Sequence, residues 1–119
     1  MSKIEIFFSE DSERSEFEAI CKGYRTDVYV RVENRIYQLS IFTLGRLQSE
    51  FESVVEREGY YDIEPNIVLV TETNKAEILH TINCLHKDSY FDKIKETEYK
   101  QINEIIGIYG TKLNLVQVQ

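Results

Sequence analysis

The rhythm of apolar and polar positions changes abruptly near residue 43, and the surrounding chain is built around that change. Val28, Val30 and Val32 alternate with Tyr29 and Arg31, the period-two pattern of a half-buried strand. Glu33 and Asn34 interrupt the alternation where a hairpin needs its turn, and Asn tolerates the left-handed backbone that such turns use. The return segment has two faces, Ile36/Gln38/Ser40/Phe42 and Tyr37/Leu39/Ile41/Thr43. The second is the more apolar and is expected to face the core. From Thr43, a candidate N-cap, the spacing lengthens: Leu44, Leu47, Phe51, Val54 and Val55 recur at helical intervals. Gly59 can supply the left-handed residue that ends this helix.

Weaker patterns flank the unit at 27–58. Residues 3–8 alternate as a first strand, with Ile4 and Ile6 on one side and Phe7 on the other. Ser9 to Arg14 is polar and reads as a connection; Ser15 with Glu18 matches a capping box, and Phe17, Ile20 and Cys21 would then form the inner side of a short helix ending at Gly23. Pro65 biases its predecessor away from helix. The apolar run at 67–70 has the length of a strand buried on both faces. Asn74 caps a helix, with Glu77 completing a capping box; its stripe is Ile78, Leu79, Ile82 and Leu85, and Tyr90 with Phe91 would tie the chain back to the core. Residues 93–106 hold Ile94, Ile102, Ile105 and Ile106 around a charged run, and 112–118 read as a final extended segment. There the apolar phase shifts between Leu115 and Val116, which predicts a bulge or an edge strand. Together these elements predict one α+β domain over 1–119. Its antiparallel sheet would comprise the first strand, the hairpin and the 67–70 strand, with helices packed mainly on one face.

Composition narrows the function classes. The chain has 119 residues, 42% of them hydrophobic, with 21 acidic against 14 basic side chains and a net charge of −7. Such a chain can build a core. Its charge makes nucleic acid a poor partner and would steer a basic protein toward it; acidic charge also serves simply to keep a small protein soluble. Cys21 and Cys84 make no disulfide framework, and Cys84 is expected as a small buried side chain. With neither a leader nor a membrane-length apolar segment recognisable, a cytoplasmic location and no membrane partner are expected.

His80, Cys84 and His86 invite a zinc or Cys–His reading. His80 and Cys84 share a helix face at i, i+4, but His86 points elsewhere on a continuous helix and no fourth ligand suggests itself. No metal, cofactor or catalytic residue is therefore assigned. The stretch 50–64 is the better candidate. Glu50, Glu52, Glu56, Glu58, Asp62 and Glu64 surround the adjacent Tyr60 and Tyr61. Tyrosine supplies large contact area at modest entropy cost, and carboxylates around it would pair with a partner's lysines and arginines. Against this stands an ordinary solvated helix face with its tyrosines packed inward. A second cluster, Glu10, Asp11, Glu13, Glu16 and Glu18, reads as a solvated segment.

The phrases RIYQLSIFTLGRLQSEFE, EPNIVLV and NKAEILHTINCLHKDSYF resemble the eighth numbered family of bacterial polymorphic-toxin immunity proteins over about residues 27–91. In that family a strand ending in an aromatic and a threonine runs straight into a helix, as Ile41-Phe42-Thr43 does here; Leu44 stands where a proline often follows. The resemblance implies an antidote that binds a cognate toxin C-terminal domain and inhibits it stoichiometrically, as in contact-dependent growth inhibition. It carries over no catalytic residues. If the toxin is a basic nuclease, carboxylates would stand where phosphates normally sit. The readings set beside it are a small hydrolase or metal-binding enzyme using His80, Cys84 or His86, and an acidic adaptor domain.

Overall fold

A computed structural model of the protein describes residues 4–97 and 114–118. Five strands, β1 (Ile4–Phe8), β2 (Tyr24–Val32), β3 (Arg35–Thr43), β4 (Ile67–Val70) and β5 (Asn114–Val118), form one sheet in the order β4-β3-β2-β1-β5. Among the described residues three helices, α1 (Glu13–Lys22), α2 (Leu44–Glu58) and α3 (Lys75–Lys87), interrupt them, and a 3-10 turn spans Tyr90–Asp92. The hairpin expected at residues 33 and 34 is present, with Val32 opposite Arg35. Its left-handed residue is Glu33, at φ 58°, rather than Asn34.

The sheet is mixed, which corrects the wholly antiparallel expectation. β4 runs parallel to β3, pairing Ser40 with Ile67 and Thr43 with Val70. A parallel neighbour needs a crossover that returns the chain to its starting end, and α2 with the 60–66 connection provides it. β4 also lies at the sheet margin, so it is not buried on both faces: Val68 is buried, while Leu69 is half exposed on the other side. The far margin behaves as expected. Opposite β1 the register shifts so that Ile6 meets Gln117 and Phe7 meets Leu115, which places a bulge at Val116 on an edge strand. The expectations for 98–113 lie outside the described residues.

The core gathers on one face. Ile4, Ile6 and Phe8 of β1, Val28, Val30 and Val32 of β2, and Tyr37, Leu39 and Ile41 of β3 line it, as the alternation predicts. Ile78 and Ile82 of α3 and Phe91 close over them, with the Phe91 and Tyr37 rings 5.1 Å apart. Half of the predicted capping box of α3 forms: the Asn74 Oδ1 accepts from the Glu77 N–H at 2.8 Å, without a return bond from the Asn74 N–H to the Glu77 side chain among the described residues. The centre of the sheet is not covered on one face only. Ile36 and Phe42, on the opposite face of β3, are also buried, and Phe42 stacks with Tyr24 at 5.7 Å.

α1 departs furthest from expectation. Its N-cap is Ser12, whose Oγ accepts from the Ser15 N–H at 3.1 Å while the Ser15 Oγ accepts from the Ser12 N–H at 3.1 Å. The capping box is therefore Ser12–Ser15, one turn before the expected Ser15–Glu18. The inner line is Ser15 and Ala19, leaving Phe17, Ile20 and Cys21 exposed. Polar contacts hold the helix instead: Thr73 donates to the Ala19 carbonyl at 2.7 Å, Glu16 accepts from the Lys75 N–H at 2.6 Å, and Asp11 pairs with Lys75. Gly23 ends α1 at φ 75°, and a Cβ there would sit 2.9 Å from Thr43 Oγ1, so only glycine fits where α1 meets the start of α2.

A bulge in β2 between Arg25 and Val28 builds a compact charged corner. The buried Arg25 guanidinium lies 4.2 Å over the Phe8 ring and bonds Asp27 at 2.6 Å and the Glu10 carbonyl. Ser9 donates to the same carboxylate at 2.7 Å. Burial pushes the Asp27 carboxyl up, but bonds from Arg25 and Ser9 and the Arg25 charge outweigh it and hold its pKa below the ordinary value. The corner fixes the 9–12 connection to the sheet.

Candidate functional site

α2 begins where the sequence predicts. Thr43 Oγ1 accepts from the Arg46 N–H at 3.3 Å, and Gly59, at φ 82°, closes the helix by donating to the Val55 carbonyl at 2.8 Å. Its orientation is unexpected. None of the residues of α2 is buried. The partly covered residues are Leu47, Glu50, Val54 and Val55, the first three on one helix line. Leu44 and Phe51, two of the apolar positions that recur at helical intervals, stand on the shoulder of that line at 65% and 48% exposure. An apolar stripe is thus wider than the contact that covers it.

The connection after Gly59 folds back along this shoulder. Tyr61 donates its hydroxyl to Glu50 Oε2 at 2.7 Å, and its ring meets Phe51 edge-on with centroids 6.0 Å apart. The bond to Glu50, then burial and the charges of Glu50 and Glu64, push the Tyr61 phenol up to about 12. It therefore remains a donor throughout the physiological range. Asn66 anchors the far end through bonds to the Gln38 carbonyl and side chain at 2.8 and 2.6 Å. Ile63 is left 54% exposed, and Leu44, Leu47, Gln48, Phe51, Tyr61 and Ile63 together line an open apolar groove of 210 Å³.

The predicted binding residues divide into two groups. Glu50 and Tyr61 are engaged with each other and act as a prop between helix and connection. Tyr60 is 65% exposed, and Glu52, Glu56, Glu58, Asp62 and Glu64 are exposed around it. Glu52 accepts from Gln48 at 3.2 Å, and Glu56, Glu58, Asp62 and Glu64 form no ion pair among the described residues. Sequence reasoning missed the groove because it read Leu44, Leu47 and Phe51 only as the apolar stripe of an amphipathic helix. Ile63, apolar between two acids in a connection, was the signal available for it.

The other candidate set stays open. His80 Nε2 and Cys84 Sγ lie 3.7 Å apart on one face of α3, where Cys84 is exposed rather than buried as expected. Two residues after Ile82, it falls on the side of α3 away from the Ile78–Ile82 line, so the helix turns it outward. The His86 ring instead faces Phe91 at 6.3 Å. Among the described residues no three His, Cys, Asp or Glu side chains gather as a metal-binding group. Among them also, no helix is long and apolar enough to cross a membrane.

No protein-family model, curated protein or solved structure matches this chain. What the fold and site define by themselves is an α+β domain with a mixed sheet, one of whose helices lines an apolar groove, with exposed carboxylates next in sequence to several of the lining residues.

Proposed function

We propose that the protein is an immunity protein that binds a cognate bacterial toxin domain in the cytoplasm and neutralises it by stoichiometric occlusion. The observation that carries this reading is the surface of α2 and the 60–66 connection. There an exposed tyrosine and exposed aliphatic side chains lie near the carboxylates of Glu56, Glu58, Asp62 and Glu64, which form no ion pair among the described residues. Interfaces concentrate their binding energy in such aromatic and aliphatic anchors, while the surrounding charges govern the rate of encounter and the choice of partner. A toxin with a basic groove, such as a nuclease, is the complementary target. The resemblance over residues 27–91 points to the same role.

The test is to combine the purified protein with the product of the adjacent gene. The reading predicts a one-to-one complex and protection of cells expressing that product. Absence of both the complex and the protection contradicts it. An adaptor role would use the same acidic surface, but the gene beside it would then encode no toxin.

A further inference from the structure

The groove beside α2 says more about the partner than its charge. We infer that it receives one aliphatic or aromatic side chain projecting from a lysine- or arginine-rich surface of the partner protein. This rests on the binding role proposed above and adds the chemistry of the contact.

Size comes first. An aliphatic cavity of roughly 150 Å³ accommodates benzene, so the 210 Å³ groove holds a group the size of a leucine or phenylalanine side chain. Its exposed walls are apolar, supplied by Leu44 and Phe51 at i, i+7 on the helix and by Ile63 across from them. A polar side chain would lose its water there without finding a partner.

Charge then selects among apolar occupants. Glu52 follows Phe51 directly, Glu58 lies one further i+7 step along the same helix line, and Asp62 and Glu64 flank Ile63. The basic residues of this stretch, Arg46 and Arg57, fall on the opposite side of α2 by helical spacing. A second copy of this chain docking about a two-fold axis would set these carboxylates against their own images, which is repulsive. An acidic partner meets the same penalty. A basic surface with one protruding apolar side chain satisfies both the walls and the rim.

The tyrosine prop keeps the groove open before a partner arrives. Because Tyr61 is tied to Glu50 and packed on Phe51, the Ile63 wall is positioned in advance and less ordering is needed on binding.

The experiment titrates the full chain with three synthetic peptides of equal length, followed by methyl NMR. One is an amphipathic leucine–lysine peptide, one a serine–lysine peptide of equal charge, and one a leucine–glutamate peptide. The leucine–lysine peptide should shift the Leu44, Leu47 and Ile63 methyls saturably and bind about tenfold or more tighter than the serine–lysine peptide. Leu44→Ser with Ile63→Ser, both at exposed sites, should abolish that preference. Equal binding of both lysine peptides, or equal binding of the leucine–glutamate peptide, overturns the inference. So does concentration-dependent movement of the same methyls without peptide, accompanied by a dimer in sedimentation. Toxin protection that survives the Leu44→Ser and Ile63→Ser changes sinks the groove while leaving neutralisation standing. Groove binding without protection has the reverse meaning.

Discussion

α2 and α3 are both amphipathic helices that follow a strand, yet the protein uses them differently. α3 presses Ile78 and Ile82 fully into the core and closes the sheet. α2, the more strongly amphipathic of the two, buries none of its residues and leaves Leu44 and Phe51 in solvent. Removing a large aliphatic side chain from water contributes roughly 1.5–3 kcal/mol. α2 forgoes most of that contribution within the monomer, and a partner can recover it. Amphipathicity therefore marks a face that can be covered, and the neighbouring elements decide whether the covering element belongs to the same chain.

The two acidic clusters repeat the contrast. In the first, Asp11 and Glu16 engage Lys75, Glu18 pairs with Arg14, and the Glu10 carbonyl receives Arg25. That cluster holds α1 to the sheet and to α3, more than the solvated segment its composition suggests. In the second, Glu50 takes the Tyr61 hydroxyl and Glu52 the Gln48 amide, while the carboxylates of Glu56, Glu58, Asp62 and Glu64 form no ion pair among the described residues. Clustered acidic residues thus serve internal docking in one place and mostly stand exposed, without an ion-pair partner among the described residues, in the other.

The largest expected effect comes from making the same kind of truncation in both helices. Ile82→Ala should cost about 3 kcal/mol of folding stability through the cavity it leaves. Leu44→Ala should stay within about 0.5 kcal/mol, as surface changes do. Urea denaturation of the two variants measures both, and equal losses would erase the distinction. Next is the charged corner, where Arg25→Met leaves the Asp27 carboxylate unpaired and should cost on the order of 3 kcal/mol. Because the folded-state pKa of Asp27 is lowered, its contribution is present above the unfolded value and is lost as pH falls through the lower, folded value. Asp27→Asn should accordingly reduce stability at neutral pH and flatten the acid limb of the stability curve.

On the α2 side, Tyr60→Ala should weaken the proposed toxin complex by about 2 kcal/mol without altering folding stability, as calorimetry and denaturation would report. Glu56→Lys with Glu58→Lys should slow association about tenfold and flatten its dependence on salt, measured by stopped flow. An unchanged rate would move the interface elsewhere. The smallest effect is local. The ¹³Cζ resonance of Tyr61 should titrate near 12, and Glu50→Gln should bring it back toward the ordinary tyrosine value near 10.

Much of the fold was legible in local patterns. Alternation identified the core face of β1, β2 and β3, caps marked the starts of α2 and α3, glycines marked the ends of α1 and α2, and the phase change at Val116 announced the bulge. These features arise from the chain's own backbone and nearest neighbours. Legibility ended where a distant element decides. Phe17 and Ile20 look like the inner side of a helix, but Ser15 and Ala19 permit the closer approach that Thr73 and Lys75 hold in place. The run at 67–70 looks doubly buried, yet its place at the margin of the sheet opens one face. For the site, the acidic and tyrosine residues were visible in composition, whereas the groove depends on Ile63 meeting Leu44 and Phe51 across a connection.

The most direct test of the α2–α3 distinction needs no partner. A soluble gadolinium chelate added to the methyl-labelled protein relaxes methyl groups according to their exposure. The account predicts strong relaxation at Leu44 and Ile63, and little at Ile78 and Ile82. Leu44 protected to the same degree as Ile82 would mean that α2 is covered from within, contradicting the claim that its apolar stripe is left for another protein.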